Sequence, residues 1–323
     1  MKKILAVIMA LLLICTPMLA SCGKRAKYTV GICQLVQHPA LDAATQGFKD
    51  ALVEILGEDV KFDEQNAANS PDTCATIVST FVTKKVDLIM ANATPALQAA
   101  QNATTEIPIL GTSITEYGVA LGIENFSGTV GTNISGTSDL APLDQQAQMI
   151  LDIVPDAKTV GLLYCSSEAN STYQVKEVAK YLTDKGITCK EYKFSDANDV
   201  QLIAQNAASE CDAMYVPTDN TAADNADAIW GAVSEKKVPI IAGESGICSG
   251  CGVATLSIDY YDLGYATGKM AAKILTGDAD VATMPIEYTP AEKLSKLYNK
   301  EICEAVGIDV SKLEAAGFKA IEG

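Results

Sequence analysis

The sequence VDLIMANATP, residues 86–95, joins a short apolar run to a Thr-Pro pair. Proline is favoured in the first turn of a helix, so this order predicts a buried strand followed at once by a helix. In the second half of the chain CDAMYVPTDN, residues 211–220, begins with a similar Asp-containing apolar run and also ends in a polar loop. Both stretches therefore predict a strand whose carboxyl end opens into a polar loop.

Two more short matches occur in the same order in both halves of the chain. Thr29-Val30-Gly31 corresponds to Thr159-Val160-Gly161, and Ile107-Pro108-Ile109 corresponds to Val238-Pro239-Ile240. Between these matches, apolar runs alternate with stripes of helical periodicity. Alternating βα units predict parallel sheets that helices cover on both faces. We therefore expect an α/β protein with two similar, Rossmann-like lobes.

The apolar runs predict five strands in the first half and four in the second. They cover Lys27–Leu35, Val60–Asn66, Val86–Asn92, Ile107–Gly111, Val119–Ile123, Thr159–Tyr164, Ile187–Phe194, Cys211–Pro217 and Val238–Gly243. Ligands of open parallel sheets bind beyond the carboxyl ends of the strands. Six loops are thereby nominated: Gln34–Pro39, Ala93–Pro95, Thr112–Glu116, Cys165–Ser171, Thr218–Asn220 and Glu244–Gly246. Two lobes that face each other would close these loops over a ligand.

Composition excludes several functions. The chain has 323 residues and a formal net charge of −16, and such a surface repels nucleic acid. Its one histidine rules out most histidine-based catalysis and multi-histidine metal sites. Residues 243–246 depart from the serine-nucleophile motif, and residues 264–270 depart from a phosphate-binding loop. We expect no enzymatic activity, no cofactor and no metal.

The N-terminus has the pattern of an export signal. Lys2 and Lys3 precede an apolar run, Ile4–Ile14, and Leu19-Ala20-Ser21-Cys22 resembles the bacterial lipobox. This resemblance implies a signal peptide over residues 1–21, lipidation of Cys22 and a polar tether over residues 22–27. The protein would then sit on the outer face of the cytoplasmic membrane, held by its lipid anchor alone. An ordinary signal peptide with an incidental cysteine is the alternative.

Eight cysteines follow Cys22, and Cys248-Ser-Gly-Cys251 is their only close pair. No second pair stands at zinc-ligand spacing, which argues against a metal site. Free thiols and one local disulfide both remain compatible with the sequence.

Six stretches of the mature chain carry a family resemblance: residues 37–42 with Gly47-Phe48, 92–95, 166–171, 217–221, 259–264 with Gly268 and Ala271-Ala272, and 299–308. In these stretches the chain resembles the type I periplasmic-binding-protein-like substrate-binding proteins of ABC transporters. The similarity is greatest to the subgroup that includes tryptophan- and other aromatic-amino-acid-binding lipoproteins. Cys165 departs from the polar residue that relatives often carry there.

The resemblance implies three crossings between the lobes. They are expected near Ser135–Leu140, Ser257–Tyr260 and Glu287–Pro290. Residues 28–137 and 260–286 would form the first lobe, and residues 138–259 and 287–323 would form the second. The implied fold is thus two Rossmann-like lobes joined by a three-crossing hinge.

A zwitterionic amino acid needs donors for its carboxylate and acceptors for its ammonium group. Asp219 is the first choice for the ammonium group, with Glu244 and Glu168 as second choices. The start of a predicted helix, where backbone N–H groups favour an anion, carries hydroxyl and amide groups. Helix capping is the alternative role for these residues. The helix-start residues are Ser166, Ser167, Asn170, Ser171 and Thr94. The further candidates in the loops are Thr112, Ser113, Asn220, Gln34 and His38. Aromatic stacking candidates are Tyr117, Tyr164 and Tyr260.

Taken with the resemblance, these features predict a solute receptor that delivers its ligand to an ABC permease and its ATPase. An aromatic or other hydrophobic amino acid is the expected ligand. Two alternatives are a sugar- or nucleoside-binding protein of the same fold, and a surface sensor that presents its ligand to a signalling partner. An α/β enzyme is disfavoured because no catalytic constellation is apparent.

Overall fold

The computed structural model describes residues 26–321. The predicted signal peptide, Cys22 and most of the tether lie outside these residues. Within them, helices and strands alternate along the chain. In order they are β1 (Tyr28–Gln34), α1 (Pro39–Leu56), β2 (Val60–Asn66), α2 (Pro71–Lys84), β3 (Leu88–Asn92), α3 (Thr94–Ala103), β4 (Ile109–Ile114), α4 (Tyr117–Leu121), β5 (Ile134–Ser138), α5 (Leu143–Ile153), β6 (Thr159–Cys165), α6 (Ala169–Asp184), β7 (Thr188–Phe194), α7 (Val200–Glu210), β8 (Ala213–Val216), α8 (Asn220–Asp224), α9 (Ala226–Val233), β9 (Ile240–Ala242), α10 (Ser245–Gly250), β10 (Ala254–Ser257), α11 (Tyr260–Thr276), β11 (Glu287–Tyr288), β12 (Ser295–Tyr298), α12 (Lys300–Val306), α13 (Val310–Ala315) and β13 (Lys319–Ala320).

The strands form two sheets, one in each lobe. The first sheet has the order β11-β5-β4-β3-β1-β2, and all its pairs are parallel. The second has the order β13-β12-β10-β9-β8-β6-β7, in which only the β10–β12 pair is antiparallel. The predicted α/β class with two largely parallel sheets is confirmed. The central strands β3 and β8 are buried along their whole length, as expected when helices cover both faces.

One predicted strand is wrong. Val119–Ile123 does not join the sheet; helix α4 covers most of it instead. The Glu116 side chain accepts hydrogen bonds from the N–H groups of Gly118 and Val119 and so caps this helix, and Gly122 ends it at a φ of 68°. The strand beside β4 is β5, whose composition of Ile, Ser, Gly and Thr lacks the apolar signal used to find strands.

The chain passes between the sheets three times. It leaves the first after β5, returns to it between β10 and α11, and leaves it again after β11. Glu287 and Tyr288 pair with Thr137 and Ser138 in the first sheet. The predicted boundary between residues 286 and 287 is therefore wrong: the last crossing begins after Tyr288.

In the first lobe, helices α1 and α11 cross so closely that their backbones are in contact. A Cβ atom built on Gly264 would lie 1.9 Å from the carbonyl oxygen of Ala44, and one on Gly47 would lie 2.1 Å from that of Tyr261. Only glycine permits such an approach. This crossing fixes α11, whose first residue, Tyr260, reaches the space between the lobes.

All eight cysteines between residues 26 and 321 are free thiols, including Cys248 and Cys251. Both of these are fully buried, and burial raises the pKa of each thiol well above its ordinary value. They therefore behave as small apolar core residues. In the part of the chain that the structure describes, no helix combines the length and apolar character needed to cross a bilayer.

Candidate functional site

A small cavity lies between the two lobes, and most of the residues around it are buried. It is surrounded by residues that follow strands of both sheets, as the rule for parallel sheets predicts. Its lining consists of His38, Leu41, Ser113, Thr115, Asp139, Asn170, Thr218, Asp219, Asn220, Ala223, Glu244 and Tyr260. Seven of the residues predicted from sequence are among them: His38, Ser113, Asn170, Asp219, Asn220, Glu244 and the stacking candidate Tyr260.

Two hydrogen bonds hold the lobes against each other beside this cavity. His38 Nε2 lies 3.3 Å from Asn220 Oδ1, and the amide of Asn69 donates to Thr221 Oγ1 over 3.0 Å. Both join a loop of the first lobe to the start of α8 in the second. The lobes are therefore in a closed arrangement.

Four residues of the cavity lining each carry a polar atom that is buried without a hydrogen-bond partner: His38 Nδ1, Ser113 Oγ, Asp139 Oδ1 and Asn170 Oδ1. Buried polar atoms in folded proteins nearly always have partners, so these four residues are the candidates for ligand contacts. Ser113 also has a φ of 55°, which is uncommon for a residue other than glycine and often marks a functional position.

A larger groove, of about 1,210 Å³, lies on the outside of the second lobe between α5 and the C-terminal segment. None of the described residues that line it, such as Met149, Leu256 and Phe318, carries a buried polar atom without a partner. The unpartnered atoms thus favour the interlobe cavity as the ligand site.

Asp139 is a cavity residue that sequence reasoning missed. It follows β5 directly, and Tyr260 OH donates to its Oδ2 over 3.0 Å while Oδ1 is left without a partner. Burial raises the pKa of this carboxyl group to about 6, and the charge of Glu244 contributes to the increase. Asp139 is thus largely ionised at neutral pH. The rule that nominates residues after strands would have found it had β5 been recognised.

Both carboxylate oxygens of Asp219 are already occupied. One accepts from the backbone N–H of Ala222 over 2.8 Å and caps α8; the other accepts from the N–H of Cys165 over 2.7 Å. Burial, followed by the negative charge of Glu168, raises the pKa of Asp219. Asp219 therefore acts as a helix cap, and its side chain also borders the cavity.

Glu244 and Glu168 are also engaged with their own lobe. Glu244 caps α10 by accepting from the N–H groups of Gly246 and Ile247. Glu168 does not line the cavity. Its oxygens accept four hydrogen bonds of 2.7–3.0 Å, which come from the backbone N–H and the side chain of Asn220 and from the backbone N–H and the side chain of Thr221. Glu168 therefore fixes the loop that touches the opposite lobe.

The other predicted site residues do not border the cavity. The Gln34 amide donates to Asp42 and its carbonyl accepts from Thr45, both inside the first lobe. The Ser166 and Ser167 hydroxyls turn to the carbonyls of Phe194 and Ser195. Three more lie buried behind the wall: Thr94, Thr112 and Ser171.

Of the three aromatic candidates, only Tyr260 lines the cavity. Tyr117 donates to the carbonyls of Gly111 and Thr137 within the first lobe, and Tyr164 donates to Glu191. These two rings pack within their own lobes. Thr115 and Thr218 also line the cavity; neither was a named candidate, although both lie in loops nominated from the sequence.

Residues 29–315 match the family model described as ABC transporter substrate binding protein. The chain is also similar to a tyrosine-binding protein of Clostridioides difficile (strain R20291). The two are 36% identical over 296 residues, which cover 91% of this chain and 84% of that protein.

Two solved structures show how the lobes are arranged. An ABC domain from Streptococcus pneumoniae in complex with L-Trp has 32% identity and a TM-score of 0.85, and the match covers 92% of this chain and all of that one. The open, ligand-free structure of a substrate-binding protein with adhesive properties from Clostridium difficile has 37% identity but a TM-score of only 0.69, covering 91% and 99%. The greater likeness to the L-Trp complex agrees with the closed arrangement. The fold is that of type I periplasmic binding proteins, and the chain belongs to the ABC transporter substrate-binding protein family.

Proposed function

We propose that this protein binds an aromatic amino acid in the interlobe cavity and delivers it to an ABC permease and its ATPase. The observation that carries the proposal is the unpartnered oxygen of buried Asp139 among three other unpartnered polar atoms. A carboxylate in an interlobe cavity suits an ammonium group, which a sugar lacks. The tyrosine-binding relative and the L-Trp complex support the same ligand class.

In this proposal the ammonium group lies between Asp139 and Asn170. Asp139 Oδ1 is a free anionic acceptor from the hinge. The amide nitrogen of Asn170 donates to Glu168 and to the carbonyl of Thr218, which leaves its Oδ1 as a second free acceptor. Asp139 replaces Asp219 as the preferred partner because both oxygens of Asp219 accept backbone N–H groups. Ser113 Oγ remains as a donor for the ligand carboxylate.

Members of the family act outside the cytoplasmic membrane. We propose that lipidation at Cys22 holds this one there, on the strength of the Leu19-Ala20-Ser21-Cys22 sequence. The role is binding and transfer, without chemical change of the ligand. Mass spectrometry of the membrane-extracted protein tests the anchor: a diacylglyceryl group on Cys22 is expected, and an unmodified mature N-terminus would contradict it.

A ligand panel tests the class of substrate. Tyrosine, tryptophan and phenylalanine are expected to raise the melting temperature, because a ligand present at about 1,000 times its Kd stabilises the native state by ~4 kcal/mol. Glucose, ribose and adenosine serve as controls that carry hydroxyls but no amino-acid ammonium group. Stabilisation by a sugar or nucleoside, with none by any amino acid, would overturn the proposal.

Affinity for the amino acid is expected to fall as the pH is lowered. An ammonium ligand binds the ionised form of Asp139, whose pKa is about 6 in the ligand-free protein. Protonation below that pH removes the negative charge, so lowering the pH from 7 to 5 should weaken binding about tenfold. Glu244 faces the same cavity with a raised pKa and adds to the change in the same direction, whereas burial raises the pKa of Asp219 to about 8, so that Asp219 is already largely protonated at pH 7. Isothermal titration calorimetry across this range measures it; affinity that is constant or rises toward pH 5 would contradict the assignment.

A further inference from the structure

A buried chain of hydrogen bonds runs from Glu168 through Asn220 to His38. The amide nitrogen of Asn220 lies 2.7 Å from Glu168 Oε2, and its oxygen lies 3.3 Å from His38 Nε2. All three side chains are more than nine-tenths buried. The chain crosses from the second lobe to the first.

This chain determines which nitrogen of His38 carries the proton. The Glu168 oxygens accept from the backbone N–H groups of Asn220 and Thr221, and the Asn220 amide presents its N–H₂ to the same carboxyl group. Its oxygen then faces His38 and can only accept, which requires a proton on Nε2. In the neutral ring, Nδ1 is left with its lone pair.

His38, which carries this lone pair, lines the interlobe cavity. Nδ1 is buried and has no partner. Asp139 and Asn170 supply acceptors for the ammonium group under the proposed function. His38 is then an acceptor without an assigned ligand group.

Resting on the proposed function, we propose that His38 Nδ1 accepts a hydrogen bond from the ligand's side chain. Glu168 and Asn220 are positioning residues that hold the accepting tautomer. The ligands selected are aromatic amino acids whose ring system carries a donor, a phenol hydroxyl or an indole N–H. A buried acceptor left without a donor is costly, so tyrosine should bind roughly 10-fold or more tightly than phenylalanine.

His38 is the only histidine in the sequence, which permits a direct test by nuclear magnetic resonance. Long-range ¹H–¹⁵N spectra of tag-free protein at pH 8 should show one ring with the proton on Nε2. Tyrosine should shift the Nδ1 resonance, whereas phenylalanine should leave it close to its ligand-free position. Asn220→Ala removes the orienting acceptor, and a mixture of tautomers is expected. A proton on Nδ1 in the unaltered protein would overturn the proposal.

Binding measurements provide the second test, with a matched control. His38→Leu should weaken tyrosine about 10-fold and change phenylalanine little, so that their affinities become similar. Asn69→Gly removes the interlobe hydrogen bond from Asn69 to Thr221 at a position with a φ of 60°, which glycine accepts, and Asn69 lies outside the cavity lining. It should weaken both ligands equally. His38→Asn, which retains an acceptor near the Nδ1 position, should recover part of the preference for tyrosine.

The outcomes separate the two proposals. Equal binding of tyrosine and phenylalanine by the unaltered protein, or equal weakening of both by His38→Leu, overturns the role of His38 and leaves amino-acid binding intact. Binding of no aromatic amino acid at all overturns the proposed function and the role of His38 with it.

Discussion

Asp139→Asn is expected to abolish amino-acid binding while leaving the ligand-free protein at least as stable as before. The substitution keeps the size of the side chain and its contact with Tyr260, but removes the charge that faces the ammonium group. Removing one partner of a buried charge pair costs about 3 kcal/mol or more, so affinity should fall by at least ~100-fold.

The stability of the ligand-free variant follows from the pKa of Asp139. Burial raises that pKa from 3.8 to about 6, so at pH 7 the folded protein holds an ionised group in surroundings that disfavour its charge. A neutral asparagine removes this cost, which is on the order of 3 kcal/mol. Calorimetric titration with tyrosine and denaturant unfolding of the ligand-free protein measure the two effects.

Asp219→Asn is the matched control, because both aspartates are buried on the same cavity wall. Each oxygen of Asp219 accepts a backbone N–H, and asparagine can replace only one of these acceptors. The donor left unpaired costs about 1–3 kcal/mol of unfolding free energy, and loss of the buried ionisable group offsets part of that cost. Tyrosine affinity, which should change little, therefore distinguishes this variant from Asp139→Asn. Tight tyrosine binding by Asp139→Asn, or its loss only in Asp219→Asn, would return the ammonium role to Asp219.

Gly264→Ala is expected to destabilise the protein by about 3 kcal/mol or more, although alanine is the better helix former. The new Cβ atom would lie 1.9 Å from the carbonyl oxygen of Ala44, so helices α1 and α11 must move apart. Helix propensity alone predicts a gain of about 1 kcal/mol. The clash outweighs the gain in helix propensity, because a backbone carbonyl group cannot rotate out of the way as a side chain can.

Gly231→Ala provides the comparison. Gly231 lies within helix α9, and a Cβ atom there would have no neighbour within 4 Å. This variant should gain roughly 0.5–1 kcal/mol from the lower entropy of the unfolded chain. Guanidinium unfolding curves measure the change in unfolding free energy for each variant. A stabilised Gly264→Ala protein would contradict the close helix crossing. Tyrosine binding should weaken in Gly264→Ala as well, because α11 carries Tyr260 to Asp139.

Several parts of this protein follow from the sequence alone. Alternating apolar runs and helical stripes are local signals, and they correctly predicted the βα units, both lobes and the loops at the carboxyl ends of their strands. Eight of the ten strands β1–β10, such as β2 and β7, were placed within a few residues. The exceptions are β5 and β10; β5 has a polar composition, and because it was not predicted, Asp139 directly after it was not nominated.

Only the tertiary structure decided which of the nominated side chains retain a free atom. Asp219 and Asp139 are both aspartates that follow a strand. Both oxygens of Asp219 accept hydrogen bonds from the N–H groups of Ala222 and Cys165, whereas Asp139 Oδ1 has no partner. His38 and Asn220 are 182 positions apart, and their contact exists because two lobes close. Sequence patterns report local periodicity and capping. The hydrogen-bond capacity left over for a ligand depends on every neighbour in space, and closure of the two lobes brings those neighbours together.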